Sequence, residues 1–262
     1  RLGETRDIGY AARDGTTIPA YLTLPPGLGP KNLPVVVLPH GGPHSHDDDS
    51  FNYMVQFLAT RGYAVLQPQF RGSTGFGDAF MRAGYRQWGG LMQDDVTDGV
   101  RHLIEDGTAD PKRICIVGGS YGGYAALAGA AFTPELYACA ASIAGVSDLP
   151  TLLQESKVEF GSESDAVNSD EETIGRGSDP QVIAKSPARA AANVRAPILL
   201  LHGLDDSVVP VAQSERMEKA LRAAGKPVTF VKLAGEDHWL SRADTRLQVL
   251  KELDKFLGQY LH

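Results

Sequence analysis

The chain has 262 residues, 42% of them hydrophobic, and carries a formal net charge of −7. That length and apolar content suit one large α/β domain or two small ones with a sizeable core. The acidic balance without a long basic block argues against nucleic acid or an anionic membrane as partner, and no uninterrupted apolar run approaches the roughly 20 residues that span a bilayer, so a soluble protein, cytoplasmic or periplasmic, is expected.

Short apolar runs bounded by Gly or Pro predict strands at 18–24, 33–39, 62–70, 113–119, 137–145, 196–203 and 227–235. Segments with helical spacing lie at about 51–61, 94–106, 121–131, 211–224 and 243–260. Strand–helix alternation with fully apolar strands predicts an α/β fold, a mostly parallel twisted sheet with helices on both faces. No helix separates the first strand-like stretches, so the sheet is expected to open with antiparallel strands. Residues 147–193 break the alternation: they are acidic, polar and rich in Gly and Ser, and they read as a solvated insertion. A loop of that length in a compact domain is more often functional or mobile than idle, and a small lid is one form it takes. No internal repeat and no clear boundary divides the chain, so 1–262 reads as a single domain. Cys115 and Cys139 sit in apolar, small-residue segments and read as buried free thiols rather than a disulfide framework. No signal peptide is visible, but the chain begins at Arg1 without a methionine, so that says little about compartment.

The stretch CIVGGSYGGYAA, residues 115–126, brackets one serine with glycines at the end of a buried strand. Gly118-Gly119-Ser120-Tyr121-Gly122 fits G-x-S-x-G, the sharp strand-to-helix turn that holds a serine hydroxyl exposed in strained backbone geometry. The helix that follows points its first amides at developing negative charge. A serine hydroxyl is a weak nucleophile until an oriented base takes its proton. The chain order for that arrangement is serine, acid, histidine. HGLDDSVVP (202–210) follows one strand and AGEDHW (234–239) follows the next, supplying Asp205 or Asp206 and then His238. The spacing H-G-x-x-D-x-x-V-P selects Asp206, with Asp205 as a loop-stabilising neighbour. All three candidates fall just beyond strand C-termini, where open α/β sheets place their sites. Two amides are needed for an oxyanion hole: that of Tyr121, after the serine, and that of Gly42 in the loop LPHGGPHS (38–45), whose turn His40 and Gly41 shape.

HGGP, FRGSTGFG (70–77), GGSYGGY, HGLDDSVVPVAQS and GEDHWLSR together resemble the C-terminal catalytic domain of the prolyl oligopeptidase family of serine peptidases, in the flavour of its acylaminoacyl-peptidase and dipeptidyl-peptidase members. The resemblance runs from about residue 5 to the C-terminus and is weakest across the acidic insertion. It implies an α/β-hydrolase fold and peptide-bond hydrolysis without cofactor or metal, acting on short peptides, acyl-amino acids or dipeptidyl N-termini. Ser120 is then the nucleophile, His238 the general base, Asp206 the orienting acid, and Gly42 and Tyr121 the oxyanion hole. Members usually carry an N-terminal β-propeller and this chain has none, so it is either a cut-out catalytic domain or the partner of a separate chain; a homo-oligomer is equally compatible. Several members also hold an arginine two residues after the catalytic aspartate, where Val208 stands here.

His40, Val208 and Trp239 are candidate pocket residues, with Trp239 preferred over Trp88 as an aromatic wall. Arg71 reads as structural. PHSHDDDS (43–50) gathers His44, His46 and three aspartates, but without helix or strand spacing to preorganise ligands it reads as a solvated acidic loop. A carboxylesterase using the same three residues, and a non-catalytic interaction domain with a relic site, stand as alternatives.

Overall fold

Residues 1–262 are all described by a computed structural model. Eight strands form one sheet in the order β1-β2-β4-β3-β5-β6-β7-β8. β1 (Glu4–Ala11), β2 (Thr17–Leu24) and β4 (Ala64–Pro68) pair antiparallel, which gives the expected antiparallel opening. The remaining pairs, through β3 (Leu33–Val37), β5 (Ala109–Gly119), β6 (Cys139–Ile143), β7 (Ile198–Gly203) and β8 (Val228–Leu233), are parallel. β1 is the strand that the apolar pattern does not disclose. It lies at the sheet edge with most of its side chains exposed, so the apolar run that marks a buried strand is missing.

Alternation along the central strands feeds two cores. Val35, Val37, Leu66, Ile114 and Ile116 face a layer made by α3 (Leu91–Glu105), α4 (Tyr121–Phe132) and α8 (Ala212–Ala223). Val36, Val65 and Val117 face α1 (Tyr53–Ala59) and α9 (Ala243–Leu261). In α9, Val249, Leu253, Phe256, Leu257 and Leu261 recur at helical spacing and are all buried. Between α1 and α3 lies the short α2 (Asp78–Arg82), which has no buried residue and hence no apolar stripe in the sequence.

Two expectations are corrected. Cys115 and Cys139 form a disulfide: the parallel register sets them opposite each other on β5 and β6, with Cα atoms 4.7 Å apart. Each residue alone looks like a small buried hydrophobe, and only the register brings the sulfurs together. The stretch 147–193 is not a loop. It folds into α5 (Leu149–Phe160), α6 (Asp165–Thr173), α7 (Pro180–Ala184) and a 3-10 segment (Pro187–Asn193). Asp148 caps α5 by accepting from the Thr151 amide, and Ser164 caps α6 by accepting from that of Val167. α6 buries only Val167, so its periodicity is too faint to read.

No helix is long and apolar enough to cross a membrane. Arg71 is structural as expected: it is buried, paired with Asp95 and Asp14, and ties the 70–77 loop to α3 and the β1–β2 turn.

Candidate active site

β5 ends at Gly119 and α4 starts at Tyr121, leaving one residue to make the turn. Ser120 makes it at φ 56°, ψ −122°, a region that L-residues avoid at a cost of about 1–3 kcal/mol. Backbone bonds fix it there: its amide donates to the Ile143 carbonyl at 2.9 Å and its carbonyl accepts from the Tyr124 amide at 3.0 Å. Its side chain does not cap the helix. The hydroxyl instead lies 3.0 Å from His238 Nε2. His238 Nδ1 lies 2.7 Å from Asp206 Oδ2, and both side chains are almost wholly buried.

Asp206 stands in the loop after β7. Its Oδ1 accepts from the amides of Val208 at 2.9 Å and Val209 at 2.8 Å. Burial raises the Asp206 carboxyl, but hydrogen bonds from His202, His238 and the two amides outweigh it and hold the group well below the usual carboxylate range. Asp206 is therefore ionised at neutral pH. Asp205 is exposed, and its amide donates to the Glu236 carbonyl at 3.0 Å, tying the acid loop to the histidine loop. Glu236 is fully buried and organises the second loop: its carboxylate accepts from the amides of Asp237 and Arg242 and from the Thr245 hydroxyl.

The 38–45 loop closes on the serine. A Cβ on Gly41 would lie 3.5 Å from that of Ser120. The Gly42 amide makes no backbone hydrogen bond, and Tyr121, first in its helix, has no intrahelical carbonyl to donate to. Gly42 sits at φ 122°, followed by a cis peptide bond to Pro43.

Ser120, Gly42 and Tyr121 line a cavity of about 520 Å³. Val208 lines it; His40 and Trp239 do not. His40 lies under the loop, with Nε2 2.8 Å from the Ser73 hydroxyl and its ring stacked 4.4 Å from Phe70. Trp239 stands edge-on to His238 and is 75% exposed outside the cavity. The aromatic wall is Trp88, packed edge-on against Tyr121 at 4.6 Å. Nothing in the sequence around Trp88 signals this, because its loop reaches the cavity only through the packing of α3 on α4. The helices of 147–193 form the far wall, with Glu155, Glu159 and Asp170. The acidic loop 43–50 brings no group of three ligating side chains together; His44 and His46 bond to the Gly72 carbonyl and the Thr74 hydroxyl.

His40, half-buried under the loop, makes a measurable pH effect. Burial pushes its imidazole from 6.5 down to about 4. The unfolded chain protonates near 6.5 and so binds more protons than the folded chain between 6.5 and about 4. Stability therefore falls as pH drops through that window, by about 3 kcal/mol in all, and gains no slope from this group above it. Denaturant midpoints from pH 7.5 to 4 are expected to fall less steeply in His40→Gln than in the parent; parallel profiles would contradict a neutral His40 in the folded chain.

A family model described as the prolyl oligopeptidase family matches residues 49–262. The chain belongs to the prolyl oligopeptidase family. It is 37% identical to dipeptidyl aminopeptidase BIII of Pseudoxanthomonas mexicana, an alignment covering 97% of this chain and 38% of that protein. Among solved structures it is similar to a Mycobacterium tuberculosis puromycin-hydrolyzing peptidase, with TM-score 0.90, 31% identity, and coverage of 99% of this chain and 39% of that one. It is also similar to the Pyrococcus horikoshii acylaminoacyl peptidase, with TM-score 0.89, 27% identity, and coverage of 100% and 42%. The chain thus spans about two fifths of the length of these family members. Its fold is the α/β-hydrolase fold of the family's catalytic domains.

Proposed function

We propose that this chain carries the active site of a serine peptidase acting on short peptides through an acyl-enzyme on Ser120. One observation carries the proposal: an unbroken hydrogen-bond chain from the Ser120 hydroxyl through His238 to a buried, ionised Asp206, at the wall of a cavity. His238 Nε2 takes the hydroxyl proton as Oγ bonds to the scissile carbonyl carbon. The amides of Gly42 and Tyr121 hold the oxyanion that forms. The C–N bond then breaks as His238 returns the proton to the leaving amine. Water repeats the cycle, giving its proton to His238 and its oxygen to the acyl carbon, and Ser120 leaves with the proton. Asp206 keeps Nδ1–H oriented and stabilises the imidazolium.

The cavity favours a substrate with positive charge. Glu155 and Glu159, one turn apart on α5, and Asp170 on α6 stand in its wall, and no lysine or arginine does. A free amino terminus suits this field better than an acylated one. Dipeptidyl anilides with a free amine are expected to give kcat/KM about fivefold or more above their N-acetyl counterparts, with the ratio shrinking at high salt and in Glu155→Gln/Glu159→Gln. Preference for the acetylated series would assign an acylaminoacyl-peptidase specificity instead, and turnover of aryl esters without anilides would favour the esterase.

A further inference from the structure

We infer that His202, fully buried behind Asp206, is a positioning residue that sets the orientation of the acid and, through it, of His238. This rests on the proposed roles of Ser120, His238 and Asp206.

His202 is the penultimate residue of β7, and both of its ring nitrogens are engaged. Nε2 lies 2.8 Å from the Val209 carbonyl and 3.3 Å from Asp206 Oδ2. Both oxygens only accept, so Nε2 carries the hydrogen. The carbonyl takes the bond directly, with the carboxylate at its edge. Nδ1 lies 2.7 Å from the hydroxyl of Ser214, a buried residue on α8. That contact to a helix side chain fixes the plane of the ring.

Two consequences follow for Asp206. The segment 206–209 is clamped from both sides, because Val209 donates its amide to Oδ1 and accepts from His202 through its carbonyl. Oδ2 is also shared: His238 approaches it at 2.7 Å from the cavity side and His202 at 3.3 Å from the core side. A carboxylate oxygen with a second N–H beside it presents less charge to His238, which tempers how tightly the imidazolium keeps its proton. The other charged groups nearby sit apart from Oδ2. Asp205 precedes it in the loop, and Glu236 and Asp237 precede His238, with carboxylates engaged by Thr245 and the Arg242 amide, and by Ser241.

The test pairs two substitutions. A glutamine can place its amide nitrogen where Nε2 stands, while an asparagine falls short of it. The His238 titration is followed by histidine nitrogen and proton NMR, assigned against His238→Gln, and needs no substrate. In His202→Asn the His238 titration is expected to move to higher pH. Anilide kcat/KM falls about tenfold, mostly in kcat, while KM stays within about twofold. His202→Gln is expected to restore both, and Ser214→Ala to shift the titration in the same direction by less. A lowered melting temperature with an unmoved His238 titration, or equal effects from Asn and Gln, would overturn the positioning role and leave packing alone. A His238 titration that moves as expected in the variants, with no substrate turned over by the parent, would count against the peptidase reading and uphold the positioning.

Discussion

Asp206→Asn is expected to lower kcat/KM on a peptide anilide by about four orders of magnitude while the protein stays folded. The loss comes from a tautomer, not from a displaced side chain. Oδ1 accepts from two backbone amides, so the asparagine carbonyl oxygen takes that place and the NH2 group takes the place of Oδ2. There it faces His238 Nδ1, which in the parent donates to Oδ2 at 2.7 Å. The NH2 can only donate, so Nδ1 must lose its hydrogen and Nε2 must gain one. A protonated Nε2 cannot take the proton of Ser120. The same NH2 meets the His202 N–H, an additional unfavourable contact of about 1–2 kcal/mol. Asp205→Asn, one position away and exposed, is expected to change the rate by less than about threefold. Reversed effects at the two positions would move the acid to Asp205.

Gly122→Ala is expected to disable the serine turn itself. An added Cβ would lie 2.2 Å from the Pro39 carbonyl oxygen and 3.3 Å from that of His40, both in the 38–45 loop. These are backbone atoms, so no side chain can swing aside. Either α4 or the loop must retreat, and each movement parts Ser120 from the Gly42 amide. A cost of about 3 kcal/mol or more follows, or roughly 10 °C in melting temperature. The rate falls by about a hundredfold or more, because a misplacement on the ångström scale at the reacting atoms is enough for that. Gly118→Ala meets Gly122 from the other side at 2.2 Å and is expected to behave alike. Gly29→Ala, where nothing lies within 4 Å, serves as the neutral control. A stable, active Gly122→Ala would show that the elbow is not packed as described.

Much of this was legible in the residues, for physical reasons. A G-x-S-x-G turn needs its glycines for the contacts just named, so the pattern and the geometry are one constraint. The strands β3 to β7 are buried on both faces and announce themselves as apolar runs. The acid and histidine loops follow such strands, and this placed Asp206 and His238 beside Ser120. What stayed hidden depends on register and packing. Cys115 meets Cys139 only because β5 and β6 pair in one particular register. The helices of 147–193 bury little, so their polar sequence looks like a loop until the caps at Asp148 and Ser164 are seen. Trp88 and Trp239 exchange places as pocket candidates because adjacency to His238 in the chain says nothing about the direction of a side chain on a turn.

The central claim is that Ser120 is an activated nucleophile. Labelling of the parent and of Ser120→Ala with a fluorophosphonate, read by intact mass, tests it most directly. A single adduct on the parent and none on Ser120→Ala is the predicted result. An unlabelled, folded parent, or equal labelling of the two, would contradict the nucleophile assignment and favour an interaction domain that keeps the geometry without the reaction.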